Sequence, residues 1–339
     1  MIKNFITELT DKDFKELLIT VLSKVGPALV LILLVIAFSL GSDHFFTLGN
    51  FSNVIRQMTV LTILAFGMTL VITGAGIDVS VGSIVGLSAS LVALVGHSFG
   101  LPIYVAILTS LVGGALIGAL NGIIIGKSGA PDFIVTLGML SAAQGIALII
   151  TGGTPIYGAP DFVVWLASGR ILNIPVPLFG MIFMGILAWF ILKYTPLGRR
   201  IVASGGNTRS AFMSGIVVEK VKLQTYAVNG VFAAVAGLFM AGRMNAANAL
   251  MGSGLELRAI AAVIIGGTAL FGGEGTIFGS VVGAAIMAVL GNGLNLLDVS
   301  AFWQKFTIGS VIIGVVVADQ IRRKRLEKLE VEQESNPAK

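Results

Sequence analysis

Long apolar runs restrict the folds open to this chain more than any other feature. Runs of about 15 to 25 apolar residues recur between short polar connections, and a helix of about 20 residues crosses the hydrocarbon core of a bilayer. Of the 339 residues, 55% are hydrophobic and 12% are charged, whereas soluble domains carry roughly 25% charged residues. The sequence therefore predicts an all-α, polytopic integral membrane protein.

The positive charges indicate how the chain is oriented in the membrane. We predict about ten transmembrane helices, with a range of eight to ten set by the hydrophobic windows. In the ten-helix arrangement, 17 of the 22 lysines and arginines fall on one side, in residues 1–24, Lys127, residues 193–222 and the tail. Positive charge is retained on the cytoplasmic side, so both termini are predicted to be cytoplasmic. An eight-helix arrangement would leave the termini on the same side.

One membrane domain accounts for most of the chain. Residues 25–319 hold all the apolar runs, and no polar stretch is long enough for a second fold. Residues 1–24 are predicted to form an amphipathic segment on the cytoplasmic surface, and residues 320–339 a charged cytoplasmic tail. Towards the end of the domain, the apolar pattern predicts one span over residues 257–271. We expect a multi-pass membrane protein.

Several classes of chemistry find no support in the sequence. The chain has no cysteine, which excludes disulfides and thiolate metal sites. Residues 121–128 read N-x-x-x-x-G-K-S, but the first glycine of a phosphate loop is missing and the stretch lies in an apolar run. We predict no catalytic residues, no metal site and no cofactor bound by this chain. The positive charge borders the predicted spans, so nucleic acid is not an expected partner.

Glycine is abundant and regularly spaced inside the apolar runs. The chain holds 44 glycines. Two groups recur every four residues, which places each group on one helix face: Gly114, Gly118, Gly122 and Gly126 in the first, and Gly275, Gly279 and Gly283 in the second. Small residues let helix backbones approach closely in lipid, so these faces are predicted to pack tightly against other helices.

A few polar side chains interrupt the apolar runs. Asp78 and Glu274 lie in two similar stretches, each reading V-I-x-G, then an acid, then G-[ST]-I-x-G. Asn121 and Asn295 lie within predicted spans. Such groups either make hydrogen bonds to the backbone and between helices or contact a polar solute in transit. Asp78, Asn121, Glu274 and Asn295 are therefore the candidate residues of a translocation path, and helix capping or a bond to backbone is the favoured role of the two acids.

The one strongly polar stretch in the middle of the chain is residues 193–222, which hold six lysines and arginines. Asn207 can cap a helix, and the apolar residues that follow it can form a short apolar face. The stretch is either a solvated loop or, over residues 207–217, a short helix on which a soluble partner docks.

Five segments of the sequence resemble the ribose-type permease subunits of bacterial ATP-binding-cassette importers. They contain GMTLVITGAGIDVSVGS, PDFIVTLGML, GGTPIYG, SGGNTRSAFMSGIVV and AAVIIGGTALFGGEGT, and the resemblance extends over roughly residues 25–320. It implies that two permease subunits, identical or different, form the pore. It also implies a cytoplasmic ATPase chain that carries the ATP and magnesium, and an extracytoplasmic sugar-binding protein.

The resemblance gives residues 205–216 the role of docking into the ATPase. The residues that correspond to the coupling segment are Gly206, Asn207, Arg209, Ser214, Gly215 and Ile216. Many relatives carry an acid soon after Gly-Gly-Asn, where this chain has Thr208, Arg209 and Ser210. The binding protein is expected to dock on the opposite side, on connections that include residues 152–174.

Taken with the resemblance, the sequence predicts a transport subunit for a simple sugar, a ribose-like pentose or a hexose, and not an enzyme. Alternatives within the same class are an autoinducer sugar, a nucleoside or a branched-chain amino acid. An ion-coupled secondary transporter is the alternative from another class, and it would ordinarily need an acid or an ion site in the middle of the membrane.

Overall fold

The computed structural model describes residues 11–334 and is predominantly helical. Within that range, seven helices are long and apolar enough to cross a bilayer by length and composition. They are α2 (Leu48–Thr73), α3 with its terminal π-helical turn (Val81–Ser98), α4 (Ile103–Ser128), α5 (Asp132–Thr151), α7 (Val176–Tyr194), α10 (Val218–Met244) and α12 (Ile277–Leu296).

Further helices complete the chain. The first and last described are α1 (Asp11–Gly41) and α13 (Ala301–Glu334). Shorter ones are α6 (Asp161–Ser168), α8 (Pro196–Gly206), α9 (Thr208–Met213) and α11 (Leu255–Ile265). Strand β1 (Ile156–Tyr157) pairs with β4 (Ala246–Ala247), and β2 (Arg170–Ile171) with β3 (Ile174–Pro175). We predicted an amphipathic segment over residues 1–24 and a charged tail over residues 320–339. Most of the side chains in these two segments lie outside the described part of the structure.

The helices form a central group and a peripheral group. In the most apolar window of α2, 89% of the residues are buried, and α3 and α10 reach 72% each. The corresponding share is 28% in α4 and α7 and 17% in α5. Because an apolar helix face left uncovered by protein suits lipid, the peripheral helices are those that the bilayer can contact.

Glycines hold the central helices together, as the sequence predicts. A Cβ on Gly114 would lie 2.5 Å from the carbonyl oxygen of Gly230, and one on Gly118 would overlap that of Tyr226. Gly122 and Gly126 lie equally close to the first turns of α10. One face of α4 therefore packs directly on the α10 backbone. The second predicted group is confirmed only in part. Gly279 and Gly283 lie against the backbone of α11 and its end, whereas Gly275 precedes α12 and lies against the side chain of Thr73.

The predicted span over residues 257–271 is wrong in its bounds. The helix there, α11, is only 11 residues long and ends at Ile265. Gly267, with φ +88°, terminates it: the Gly267 N–H donates to Ile264 and the Thr268 N–H to Val263. This is a Schellman ending, which a glycine in the left-handed conformation stabilises. Irregular backbone over residues 245–254 precedes the helix.

One side of that irregular backbone is covered by protein. A Cβ on Gly252 would overlap the carbonyl oxygen of Gly82, and one on Gly86 would overlap that of Ala249. Residues 245–254 thus lie against the first turns of α3. Irregular backbone is tolerated at membrane depth only where protein surrounds it or it lines a cavity.

The two similar stretches of sequence form similar turns. α2 ends as α11 does, because the Ala75 N–H donates to Ile72 and the Gly76 N–H to Val71, with Ala75 at φ +53°. Each turn leads to the start of another helix, α3 or α12. The V-I-x-G pattern therefore marks the same type of helix ending at both places.

Candidate functional site

The polar stretch of residues 193–222 forms two short helices at one end of the bundle, which we call the basic end. Thr195 caps α8 by accepting a hydrogen bond from the Gly198 N–H at 3.2 Å, and Pro196 occupies the first helical position, where no N–H is needed. Ile201, Ser204 and Gly205 face the protein. α8 is therefore a helix seated on the bundle, and not a solvated loop.

Asn207 joins the two short helices. It ends α8, and its side chain then caps α9, with Oδ1 accepting from the Ser210 N–H at 2.8 Å. The predicted cap is confirmed. Asparagine favours this position because its side-chain oxygen takes the place of a missing backbone acceptor.

Gly215 ends α9 in a Schellman motif. The Gly215 N–H donates to Phe212 at 3.0 Å and the Ile216 N–H to Ala211 at 3.1 Å, with Gly215 at φ +82°. Ser214 Oγ donates to the Ser210 carbonyl oxygen at 2.9 Å, which closes the same turn. The side chain of Asn207 thus fixes the start of α9, and Ser214 and Gly215 fix its end.

The outward side of this helix pair is apolar. Phe212 is 67% exposed, Met213 79% and Val217 50%, while Ala211 is buried. Exposed apolar patches of this kind, rimmed by polar residues, are typical of interaction sites.

Basic side chains surround that apolar patch. Arg199, Arg200, Arg209 and Lys220 are all exposed, and Glu219 is the only acid among residues 193–222. The patch formed by Phe212, Met213 and Val217 together with these four basic residues is called the α8–α9 surface below. Its composition fits a partner groove with an apolar floor and an acidic rim.

The structure brings the six predicted coupling residues together. Asn207, Ser214 and Gly215 shape α9, Arg209 lies on its exposed side, and Gly206 and Ile216 lie at its two ends. Their assigned role in coupling stays a prediction, because their positions alone do not demonstrate motion.

Two of the four candidate path residues share one buried cluster. Asp78 Oδ1 accepts from the N–H and Oγ of Ser80, at 2.9 and 2.6 Å, so the predicted bond to backbone is confirmed. Asn121 Nδ2 donates to Ser80 Oγ at 2.8 Å. Asn229 Nδ2 donates to the other oxygen of Asp78 at 2.8 Å. Asp78, Asn121 and Asn229 are fully buried, and the cluster ties α4 and α10 to the start of α3.

The other two candidates lie elsewhere. Glu274 is exposed in the connection between α11 and α12, at the basic end, and Asn295 is exposed near the end of α12. The four residues therefore do not form one continuous lining in the closed packing of this chain, and a path along them stays a prediction. Asn229 joins the cluster although it was not among the four; its position in a span was the available signal.

A second polar cluster at the basic end was not predicted. Lys222 Nζ lies 2.6 Å from Asp132 Oδ2, and the Tyr226 hydroxyl donates to the same oxygen at 2.6 Å. The Tyr226 hydroxyl also lies 3.3 Å from the carbonyl oxygen of Ile77. The cluster links the starts of α5 and α10 to residues 75–77. Sequence separation of 90 residues or more hides such a pairing from pattern analysis.

A family model of transport permeases matches most of the chain. The model described as branched-chain amino acid transport system / permease component matches residues 50–316. This range includes the central helices, the α8–α9 surface and both polar clusters. The chain belongs to this permease family. It is a multi-pass subunit of the bacterial inner membrane and a transport component of an ATP-binding-cassette importer, not an enzyme.

Similar permeases are known from several bacteria. The permease is 41% identical over 295 residues to the ribose import permease protein RbsC of Haemophilus influenzae, covering 86% of this chain and 91% of the relative. It is 37% identical to the D-allose transport system permease protein AlsC of Escherichia coli, covering 88% and 92%. It is 35% identical to the xylose transport system permease protein XylH of Escherichia coli, covering 81% and 86%. No solved structure matches the permease.

Permease components of such importers work with an ATPase subunit and a solute-binding protein. The α8–α9 surface is the exposed, apolar and basic region at one end of the described chain. It is therefore the first candidate for contact with one of these partners.

Proposed function

We propose that this permease forms, with a second permease subunit, the translocation path for a simple sugar, and that its α8–α9 surface docks into the ATPase. The α8–α9 surface carries the docking part of the proposal, since its rigid caps present exposed apolar side chains within a basic rim. The relatives named for ribose, allose and xylose support the sugar.

The basic end is the cytoplasmic end in this proposal. Most of the lysines and arginines of the chain lie in segments assigned to that side, which is the usual bias of membrane proteins. Ten crossings follow if the irregular backbone of residues 74–80 and 245–254 is counted with α3 and α11, and if α1 and α13 also cross. Both termini are then cytoplasmic.

The ATP and the magnesium belong to the partner chain. The permease supplies a surface that responds when the ATPase subunits close on ATP. The α8–α9 surface then moves with the ATPase, and the spans change between a state open to the outside and a state open to the cytoplasm. Such a change requires a partner that binds the two states unequally, and this is the role of the ATPase.

The solute passes between the two permease subunits. The binding protein docks on the end opposite to α8, on connections that include residues 152–174, which β1 ties to β4. Amide side chains offer both a donor and an acceptor to sugar hydroxyls, so Asn121 and Asn295 remain the candidate path residues, together with Asp78 and Glu274.

A branched-chain amino acid is the second candidate solute. The description of the matching family model is the observation that favours it. A sugar ranks first because the similar permeases over more than four fifths of the chain are named for sugars. Nucleosides and autoinducer sugars are further outcomes of the solute test.

Co-purification tests the proposal. The tagged permease is extracted from its host membrane in several mild detergents, and its partners are identified by mass spectrometry. The proposal predicts an ATPase chain and, after crosslinking, a binding protein whose bound solute is a pentose or hexose. Recovery of the permease alone in every detergent, with sodium- or proton-driven uptake in vesicles, would identify an ion-coupled transporter instead.

A further inference from the structure

The last residue of α2 and the last turn of α8 are in direct backbone contact. A Cβ on Gly205 would overlap the carbonyl oxygen of Thr73 and would lie 2.9 Å from the Gly273 nitrogen. Gly205 is buried and Thr73 is the final residue of α2. There is no room for a side chain at this point, so the two backbones meet without a flexible group between them.

The connection between α11 and α12 closes on the same point. The Gly273 N–H donates to the Thr73 carbonyl oxygen at 2.9 Å. A Cβ on Gly272 would lie 2.8 Å from the Gly205 carbonyl oxygen and 2.7 Å from the Ala75 Cβ. Three separate parts of the chain, the ends of α2 and α8 and residues 272–273, therefore share one contact.

A side-chain bond continues the connection along α12. Thr69, one turn before Thr73, shares a 2.6 Å hydrogen bond with Ser280 in the first turn of α12. Both side chains are buried. A displacement of α8 at Gly205 would therefore push on the end of α2. Through the Thr69–Ser280 hydrogen bond it would also shift the start of α12.

From these contacts we infer that Gly205 is the positioning residue through which movement of the α8–α9 surface reaches α2 and α12. The inference rests on the proposed function, since it needs a partner that moves α8. The α8–α9 surface lies within a few residues of Gly205, because Asn207 joins the two short helices. Packed backbone is suited to this task because it shifts as a unit and does not deform continuously.

The test is Gly205→Ala in the complete complex with its ATPase and binding protein, reconstituted in liposomes. The methyl group overlaps the carbonyl oxygen of Thr73 and adds no atom to the exposed side chains of the α8–α9 surface. In complexes that retain the ATPase, the sugar imported per ATP hydrolysed should fall by about tenfold, within the usual range of coupling between sites. The labelled solute is whichever of ribose, allose and xylose the unaltered complex imports.

Gly309→Ala is the matched control, because a Cβ at that helical glycine has no neighbour within 4 Å. It should leave both uptake and ATP hydrolysis unchanged. Import per ATP within twofold of the unaltered complex for Gly205→Ala would overturn the inference while leaving the proposed function intact. Failure of the unaltered permease to bind any ATPase would instead overturn the proposed function.

If Gly205→Ala does not insert into the membrane, Ser280→Ala tests the inference in its place. This change removes the bond to Thr69 and adds no atoms, so the fold is retained. The inference predicts a smaller fall in sugar imported per ATP, about threefold, with ATPase binding unaltered. An unchanged ratio would contradict it.

Discussion

Asn50 of α2 and Asn292 of α12 exchange two hydrogen bonds, with each Nδ2 donating to the Oδ1 of the other at 2.9 and 2.8 Å. Both side chains are buried, and Asn50 Nδ2 also donates to the carbonyl oxygen of Phe45. An amide in an apolar interior needs a partner for each polar atom. The pair therefore aligns α2 and α12 at the end of the bundle opposite to Thr69 and Ser280.

Removal of one amide should destabilise the permease. Asn292→Ala leaves the Oδ1 atom of Asn50 without its donor, and we expect a loss of about 1–3 kcal/mol in the free energy of unfolding. Thermal unfolding in mild detergent measures it. Asn50→Ala with Asn292→Ala should cost less than the two single changes added together, because the second change no longer breaks an intact pair. Simple additivity would show that the two amides do not interact.

The close contact of α4 with α10 makes a second prediction. Gly118→Ala places a methyl group against the carbonyl oxygen of Tyr226 and should cost about 1–3 kcal/mol of stability, as overpacking does in a close-packed interior. Gly138→Ala in α5 is the control, since nothing lies within 4 Å of a Cβ there. Equal melting temperatures of the two variants in the same detergent would be inconsistent with the packing described.

The left-handed conformation of Gly215 should matter for docking. Gly215→Val cannot adopt φ +82° without strain, so the end of α9 should rearrange and ATPase affinity should fall by about tenfold or more. Gly215→Asn is the control because asparagine tolerates this conformation. Equal retention of the ATPase by both variants, measured as ATPase bound per permease, would exclude a role for this turn.

Phe212 should contribute to partner binding and little to the fold. It is 67% exposed, so Phe212→Ala should leave the melting temperature of the isolated permease unchanged. A buried aromatic anchor in an interface typically contributes about 2 kcal/mol or more, so ATPase binding should weaken by about thirtyfold. Phe46→Ala changes a phenylalanine at the opposite end that is 83% exposed, and it should have no effect on binding. Normal binding by the Phe212 variant would place the partner elsewhere.

The charge of the rim gives a further prediction. Arg209→Glu places a carboxylate at the exposed side of α9 and should slow association with an acidic groove, most strongly at low salt. Arg170→Glu, far from α9 in strand β2, serves as the matched charge reversal. Association rates measured at two salt concentrations distinguish the two. Faster association of the Arg209 variant would indicate a basic partner.

Local signals in the sequence predicted much of this structure. The helices α4 and α5, the cap by Asn207 and the close packing of the regularly spaced glycines follow from apolar length, capping chemistry and four-residue spacing. Each of these depends on residues that are neighbours in sequence or on one helix face.

Contacts between distant parts of the chain could not be predicted from the sequence. The non-helical residues 245–254 place Gly252 directly against the backbone at Gly82, a contact that hydropathy does not encode. The reciprocal hydrogen bonds of Asn50 join residues that are 242 positions apart in sequence. Lys222 and Asp132, which form an ion pair, are 90 positions apart. The direct contact of Gly205 with Thr73 is of the same kind, since only the fold brings these backbones together.

We propose that this chain moves a simple sugar at the expense of ATP hydrolysed by a partner. Uptake of labelled ribose tests this in liposomes that contain the permease and its co-purified ATPase, with binding protein outside the vesicles and ATP inside. We expect uptake that requires both ATP and binding protein. Excess allose or xylose should either compete with ribose or be taken up in its place. Leucine uptake under the same conditions, or sugar uptake driven by an ion gradient without ATP, would contradict it.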